Sequence, residues 1–79
     1  MWDWRLMPGE RSPSEPHPVG TVELVHVTAG ELTLTVDGVE HLVPTGASAT
    51  FEASTSHTYG NEGDVPMEMV MAVSVPPVR

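Results

Sequence analysis

The segment from Glu31 to Val43, ELTLTVDGVEHLV, constrains the fold of this chain more than any other. Leu32, Leu34 and Val36 alternate with Thr33 and Thr35, which is the period-two spacing of a strand with one buried face. Asp37-Gly38 follows. An Asp-Gly pair between alternating apolar residues is the signature of a two-residue type I′ hairpin. That turn pairs Val36 with Val39, Thr35 with Glu40 and Leu34 with His41, and Val39 to Val43 is the return strand. A chain built on such a unit folds by strand pairing, and its other segments must supply further strands.

Trp2, Trp4 and Leu6 alternate with Asp3 and Arg5, so the chain opens on a short strand. An opening this abrupt, behind a lone Met1, looks like the cut end of a longer protein. Thr21 to Ala29 is a strand with Glu23, Val25 and Val27 on one face and Leu24 and His26 on the other. Gly30 closes it with a tight turn. Short strands follow at Ala49–Phe51 and from His57 to Tyr59. The last strand, Met67 to Val75, carries Met67, Met69, Met71, Val73 and Val75 on one face. Pro44 to Gly46 and Asn61 to Asp64 turn the chain, and Ser54 to Ser56 is a loop. Pro8, Pro13, Pro16 and Pro18 exclude helix and central strand between Pro8 and Pro18. That segment reads as an extended loop that delivers His17, held extended by the proline after it. No stretch longer than a turn has helical periodicity. About eight short strands with turn signals between them predict an all-β antiparallel sandwich or barrel.

The 79 residues allow one domain. A chain of this size buries only ~60% of its unfolded surface, so its stability margin is small. The lack of cysteine excludes disulfides and thiolate metal sites and fits a reducing compartment. The net charge is −8, with three cationic side chains, all arginine. Nucleic-acid binding needs cations to displace counterions from phosphates, so this chain should not bind DNA or RNA by itself. No basic patch precedes an apolar run, and the apolar runs are too short to span a bilayer. No membrane association and a cytoplasmic location are the expectation.

Three residues carry candidate chemistry. His17 and Glu23 lie at the mouth of the Thr21–Ala29 strand, and His57 opens a later one. Two imidazoles and a carboxylate make one face of a metal site. Such a set suits Fe(II) and similar ions with open positions, or zinc with one open site. A plainer reading has the three line a pocket that takes a ligand or water without metal, and both readings stand at this point. Glu23 shares its face with Val25 and Val27, so it should point inward. A buried carboxylate without a partner is costly or protonated. A metal, or His17 and His57, would be that partner. The Met67, Met69, Met71 stripe reads as core filling. Its alternative is the wall of a small-molecule pocket, with Met69, Met71 and an inward Tyr59 touching the ligand. His26 and His41 read as ordinary strand histidines, and Arg11 as a surface cation. Asn61 should hold its own turn. Trp2 and Trp4 read as packing anchors, with a homodimer interface over an edge strand as their further expectation.

These positions resemble the two cupin motifs. In the first, His17 takes the first histidine, Glu23 the glutamate and Gly30 the closing glycine, while Val19 stands where a second histidine would be. In the second, Gly46, His57 and Asn61 match, with Glu52 at the proline position and Ser54 at a glycine position. The two motifs span residues 9 to 61. The wording PGERSPSEPHPVGTVELVHVTAGELTLTVDGVEH is similar to the cupin domain at the C-terminus of bacterial XRE-type helix-turn-helix regulators. The resemblance implies a small antiparallel β-barrel or jelly roll, the double-stranded β-helix. It implies a divalent metal (iron, manganese, zinc or nickel) at His17, Glu23 and His57, and a small-molecule effector. On this reading the chain is the sensor piece of a longer regulator whose DNA-binding domain lies elsewhere. The alternative it leaves open is a metal-dependent enzyme, such as an Fe(II) dioxygenase, on the same three ligands.

Overall fold

A computed structural model describes residues 2–14 and 17–74. Eight strands follow one another: β1 (Trp2–Leu6), β2 (Arg11–Ser14), β3 (Val22–Ala29), β4 (Glu31–Val36), β5 (Val39–Pro44), β6 (Ser48–Glu52), β7 (His57–Gly60) and β8 (Met67–Ser74). There is no helix among the described residues. The strands form two four-stranded antiparallel sheets, one in the order β1-β8-β3-β6 and the other β2-β7-β4-β5. This is the expected all-β jelly roll.

The predicted hairpin is present in its predicted register. Val36 pairs with Val39, Thr35 with Glu40 and Leu34 with His41. Asp37 has φ 50° and Gly38 φ 80°, the two left-handed positions that a type I′ turn requires.

One strand was not expected. The proline-rich segment contains β2, which pairs with β7 from Arg11↔Gly60 to Ser14↔His57. β2 is the outer strand of its sheet. A proline lacks the N–H of a ladder bond but is tolerated where that side faces away from the sheet, so Pro13 does not forbid an edge strand.

The inward faces of the two sheets make the core. Val25 and Val27 of β3, Met67, Met69 and Met71 of β8, and Leu6 of β1 come from one sheet. Leu32 and Leu34 of β4, Val43 of β5 and Tyr59 of β7 come from the other. Asn61 does more than hold its turn. Its Oδ1 accepts from the Gly63 N–H (3.0 Å), and its Nδ2 donates to the carbonyls of Val65 (2.8 Å) and Leu6 (3.0 Å). One side chain thus ties the end of β1 to the turn before β8. Val75, expected at the end of the last strand, lies outside the described residues.

Candidate metal centre

Glu23 lies on β3 between two inward-facing apolar neighbours, Phe51 on β6 and Val73 on β8. The alternation that buries Val25 and Val27 buries Glu23 as well, at 1% exposure. Its carboxylate points at the opposite sheet. There His57, on β7 between Ser14 of β2 and Val36 of β4, points back. His17 comes from the segment before β3. Its N–H donates to the Ala53 carbonyl (2.8 Å), and the Thr21 N–H donates to the Pro18 carbonyl (3.1 Å). These bonds fold the segment over the mouth of the sandwich. The structure therefore brings together all three residues singled out in the sequence, and their ligand atoms lie within 4.8 Å of one another.

Glu23 Oε2 is 3.1 Å from His17 Nε2 and 3.0 Å from His57 Nε2. Glu23 Oε1 accepts a hydrogen bond from the Tyr59 hydroxyl. His57 Nδ1 is 2.9 Å from the Thr55 carbonyl, which can only accept, so Nδ1 carries the proton. In the neutral imidazole Nε2 then presents a lone pair to a carboxylate oxygen. Two lone pairs facing each other at this distance in a buried site repel. Both atoms, Glu23 Oε2 and His57 Nε2, are buried without a hydrogen-bond partner. Either a proton, carried by the imidazole or by the carboxyl, or a cation must lie between them.

The donor set fits a cation. Two ligand atoms each about 2.1 Å from an ion and at right angles to it are about 3.0 Å apart. Two neutral imidazole nitrogens and one carboxylate oxygen suit iron, zinc and related divalent ions. The outer contacts fit as well. Metal-binding histidines commonly donate their other N–H to a carbonyl, and ligating carboxylates are themselves hydrogen-bonded, as His57 and Glu23 are here. Among the outer contacts, Tyr59 stood out in the sequence as a ligand-contacting residue, whereas its bond to Glu23 depends on the pairing of distant strands. The Thr55 carbonyl did not stand out, because backbone groups leave no sequence signal.

The surroundings are apolar and aromatic. Phe51 meets the His57 ring edge-on at 5.3 Å, and Trp4 lies 5.5 Å from Tyr59, centroid to centroid. A cavity of about 240 Å³ is lined by Trp2, Trp4, His17, Met71 and Val73, so it opens beside the triad. A larger one of about 310 Å³ lies in the seam between β5 and β6, and its lining includes Val36 and Phe51, the strand neighbours of His57 and Glu23. Of the expected ligand-contacting residues, Met71 lines the cavity beside His17. Met69 and Tyr59 are each 1% exposed and sit in the core, with the Tyr59 hydroxyl turned to Glu23. Val19, at the position of a second motif histidine, is 82% exposed. His26 is half-buried, its Nδ1 2.7 Å from the Ser48 hydroxyl, and His41 is exposed on β5.

Comparison with known proteins agrees with the fold. The cupin domain family matches residues 2–73. The chain belongs to the cupin family. It is 37% identical over 60 residues to the HTH-type transcriptional regulator SutR of Escherichia coli K12, covering 76% of this chain and 34% of SutR. It is 36% identical over 65 residues to protein SchB of Streptomyces halstedii, covering 82% of this chain and 46% of SchB. The chain thus spans less than half the length of either curated relative. Among solved structures it is similar to the cupin domain of an XRE family transcriptional regulator from Enterobacter cloacae. The TM-score is 0.91 at 29% identity, over 95% of this chain and 79% of that one. A de novo designed double-stranded β-helix shares the fold, with a TM-score of 0.76 at 21% identity over 92% of this chain and 96% of that one. The cupin domain described here is therefore similar to that of XRE-family regulators. No helix of the described residues is long and apolar enough to cross a membrane.

Proposed function

We propose that this cupin domain binds a small effector beside a divalent metal held by His17, Glu23 and His57, and serves as the sensor part of a longer transcriptional regulator. The observation that carries the metal is the pair of buried, partnerless atoms, Glu23 Oε2 and His57 Nε2, with His17 Nε2 converging on the same oxygen. The likeness to regulators of greater length supports the sensor role. A DNA-binding domain elsewhere in the parent protein would read the signal, because this domain, at net charge −8, is unsuited to DNA. The cytoplasm, where such regulators meet DNA, is the compartment this reading carries. A second copy of the chain is the other partner.

The metal would supply an open coordination position to an oxygen or nitrogen donor of the effector. The chain's own residues do the rest. Tyr59 holds one carboxylate oxygen of Glu23 and leaves the other facing the imidazoles. Thr55 fixes the His57 tautomer. Trp2, Trp4, Met71 and Val73 offer an apolar wall beside His17. That cavity is small for a ligand pocket, which favours a compact effector with one polar end and an apolar body.

Elemental analysis of protein purified without chelator or affinity metal tests the reading. We expect near-stoichiometric divalent metal in the wild type, lost in both Glu23→Gln and His57→Ala. Absence of metal after addition of iron, manganese, zinc and nickel in turn would overturn the metal part. Turnover that requires iron and oxygen would replace the sensor with an oxygenase.

A further inference from the structure

β1 ends its sheet, and among the described residues it pairs only with β8. A strand edge of this kind is a template for another strand, and proteins blunt such edges, often with charges that repel a second copy. The charges on β1 do the opposite. Its sequence is Trp-Asp-Trp-Arg-Leu. Asp3 and Arg5 lie on the outward face, two residues apart and both exposed. Trp2, Trp4 and Leu6 lie on the face that turns toward the core, yet Trp2 remains 55% exposed.

Consider two copies of β1 side by side and antiparallel, with their core faces on the same side. Only registers that place odd residues opposite odd ones keep the faces matched. Centring the pair on Asp3 puts Asp3 opposite Asp3, and centring it on Arg5 puts Arg5 opposite Arg5. Both registers set like charges directly across, which destabilises a pair. Centring on Trp4 puts each Asp3 opposite the other copy's Arg5, Trp2 opposite Leu6, and Trp4 opposite Trp4. The strand is self-complementary in that register alone. This is the pattern a two-fold, isologous interface needs, in which the same patch serves both sides.

We infer that two copies of this chain pair edge to edge through β1, in the register centred on Trp4, joining their β1-β8-β3-β6 sheets into one. The inference rests on the second-copy part of the reading above and is independent of the metal. Cross-strand pairing of Asp3 with Arg5 sets the register, and the Trp2 and Trp4 indoles gain apolar cover along the seam. Arg5 faces Glu68 of β8 on its inner side, so the other copy's Asp3 completes an acidic pair around one of the chain's three arginines.

Two charge variants test it by sedimentation, with circular dichroism as the folding control. Asp3→Arg places arginine opposite arginine twice, and Arg5→Asp places aspartate opposite aspartate twice. We expect a wild-type dimer and, for each variant alone, dimerisation weaker by about tenfold, because two opposed pairs turn from attraction to repulsion. An equimolar mixture of the two variants should recover a dimer, because every opposed pair is then of opposite sign. The double variant Asp3→Arg/Arg5→Asp keeps that complementarity and should dimerise as the wild type does. It serves if either single variant fails to fold. A monomeric wild type at high concentration overturns both the inference and the second-copy reading. A wild-type dimer that both single variants leave intact, or a folded double variant that is monomeric, overturns the β1 pairing while leaving a dimer through another face.

Discussion

At the scale of single residues, Tyr59 and Glu23 set the terms. The phenol is buried, it donates to a buried carboxylate, and it sits beside that carboxylate's charge. Burial first, then the hydrogen bond and the charge of Glu23, push its pKa far above the ordinary 10.0. The consequence for stability has a definite sign. Below pH 10 the phenol is protonated in both folded and unfolded chains, and the contribution is fully present. Above pH 10 the unfolded chain loses the proton while the folded one keeps it, so stability should fall by about 1.4 kcal/mol per pH unit. The chain has one tyrosine, so phenolate absorbance should rise together with unfolding and not before it. Tyr59→Phe should remove that alkaline slope. At pH 7 the same variant leaves Glu23 Oε1 buried without its donor, at a cost of about 1–3 kcal/mol in urea denaturation. Asn61→Ala should cost a similar amount, because it strands the carbonyls of Leu6 and Val65 together with the Gly63 N–H.

At the scale of elements, the two glycine turns separate local strain from tertiary crowding. Gly38 has φ 80° and open space where a Cβ would project. Gly30, between β3 and β4, has φ 71°, and a Cβ there would lie 2.6 Å from the Pro66 carbonyl oxygen and 2.9 Å from Met67 Cα. Both neighbours are backbone and cannot rotate away. Gly38→Ala should therefore cost only the left-handed strain of about 1–2 kcal/mol. Gly30→Ala should cost clearly more, and urea denaturation of the two variants side by side gives the comparison. The edge strands teach a second lesson. β2 was hidden in the sequence by its prolines, whereas β1 was visible by its alternation. Both are edges, so proline content separates central from edge strands but not strand from loop.

At the scale of the whole molecule, the candidate centre couples the two sheets. Glu23 belongs to one sheet and His57 to the other, so an ion held by both would tie the sandwich across its core. A small domain gains much from such a tie, since a ligand bound only by the folded state stabilises it by about 2.7 kcal/mol at a hundredfold excess over Kd. We expect chelator to lower the thermal midpoint of wild-type protein and the cognate ion to restore it. Glu23→Gln should respond to neither, as differential scanning fluorimetry will show.

Much of this was determined by the sequence by itself. Period-two alternation, together with the Asp-Gly hairpin and the turn signals between runs, located seven of the eight strands, apart from a residue or two at their ends, because which face a side chain takes is a local property of an extended backbone. Asp37-Gly38 set the hairpin register because few residues accept two successive left-handed positions. His17, Glu23 and His57 stood out by their likeness to the cupin motifs, and Glu23 by the cost of burying a carboxylate on an apolar face. Tertiary structure alone decided the rest. Alternation says that Glu23 and His57 each point inward, but not that β3 and β7 lie across from one another. That follows from non-local pairing, which interleaves the strands as β1-β8-β3-β6 and β2-β7-β4-β5. The tyrosine clamp on Glu23 and the two lone pairs left facing each other arise only when those sheets close. Hydrogen-bond partners far apart in the chain have no local signature.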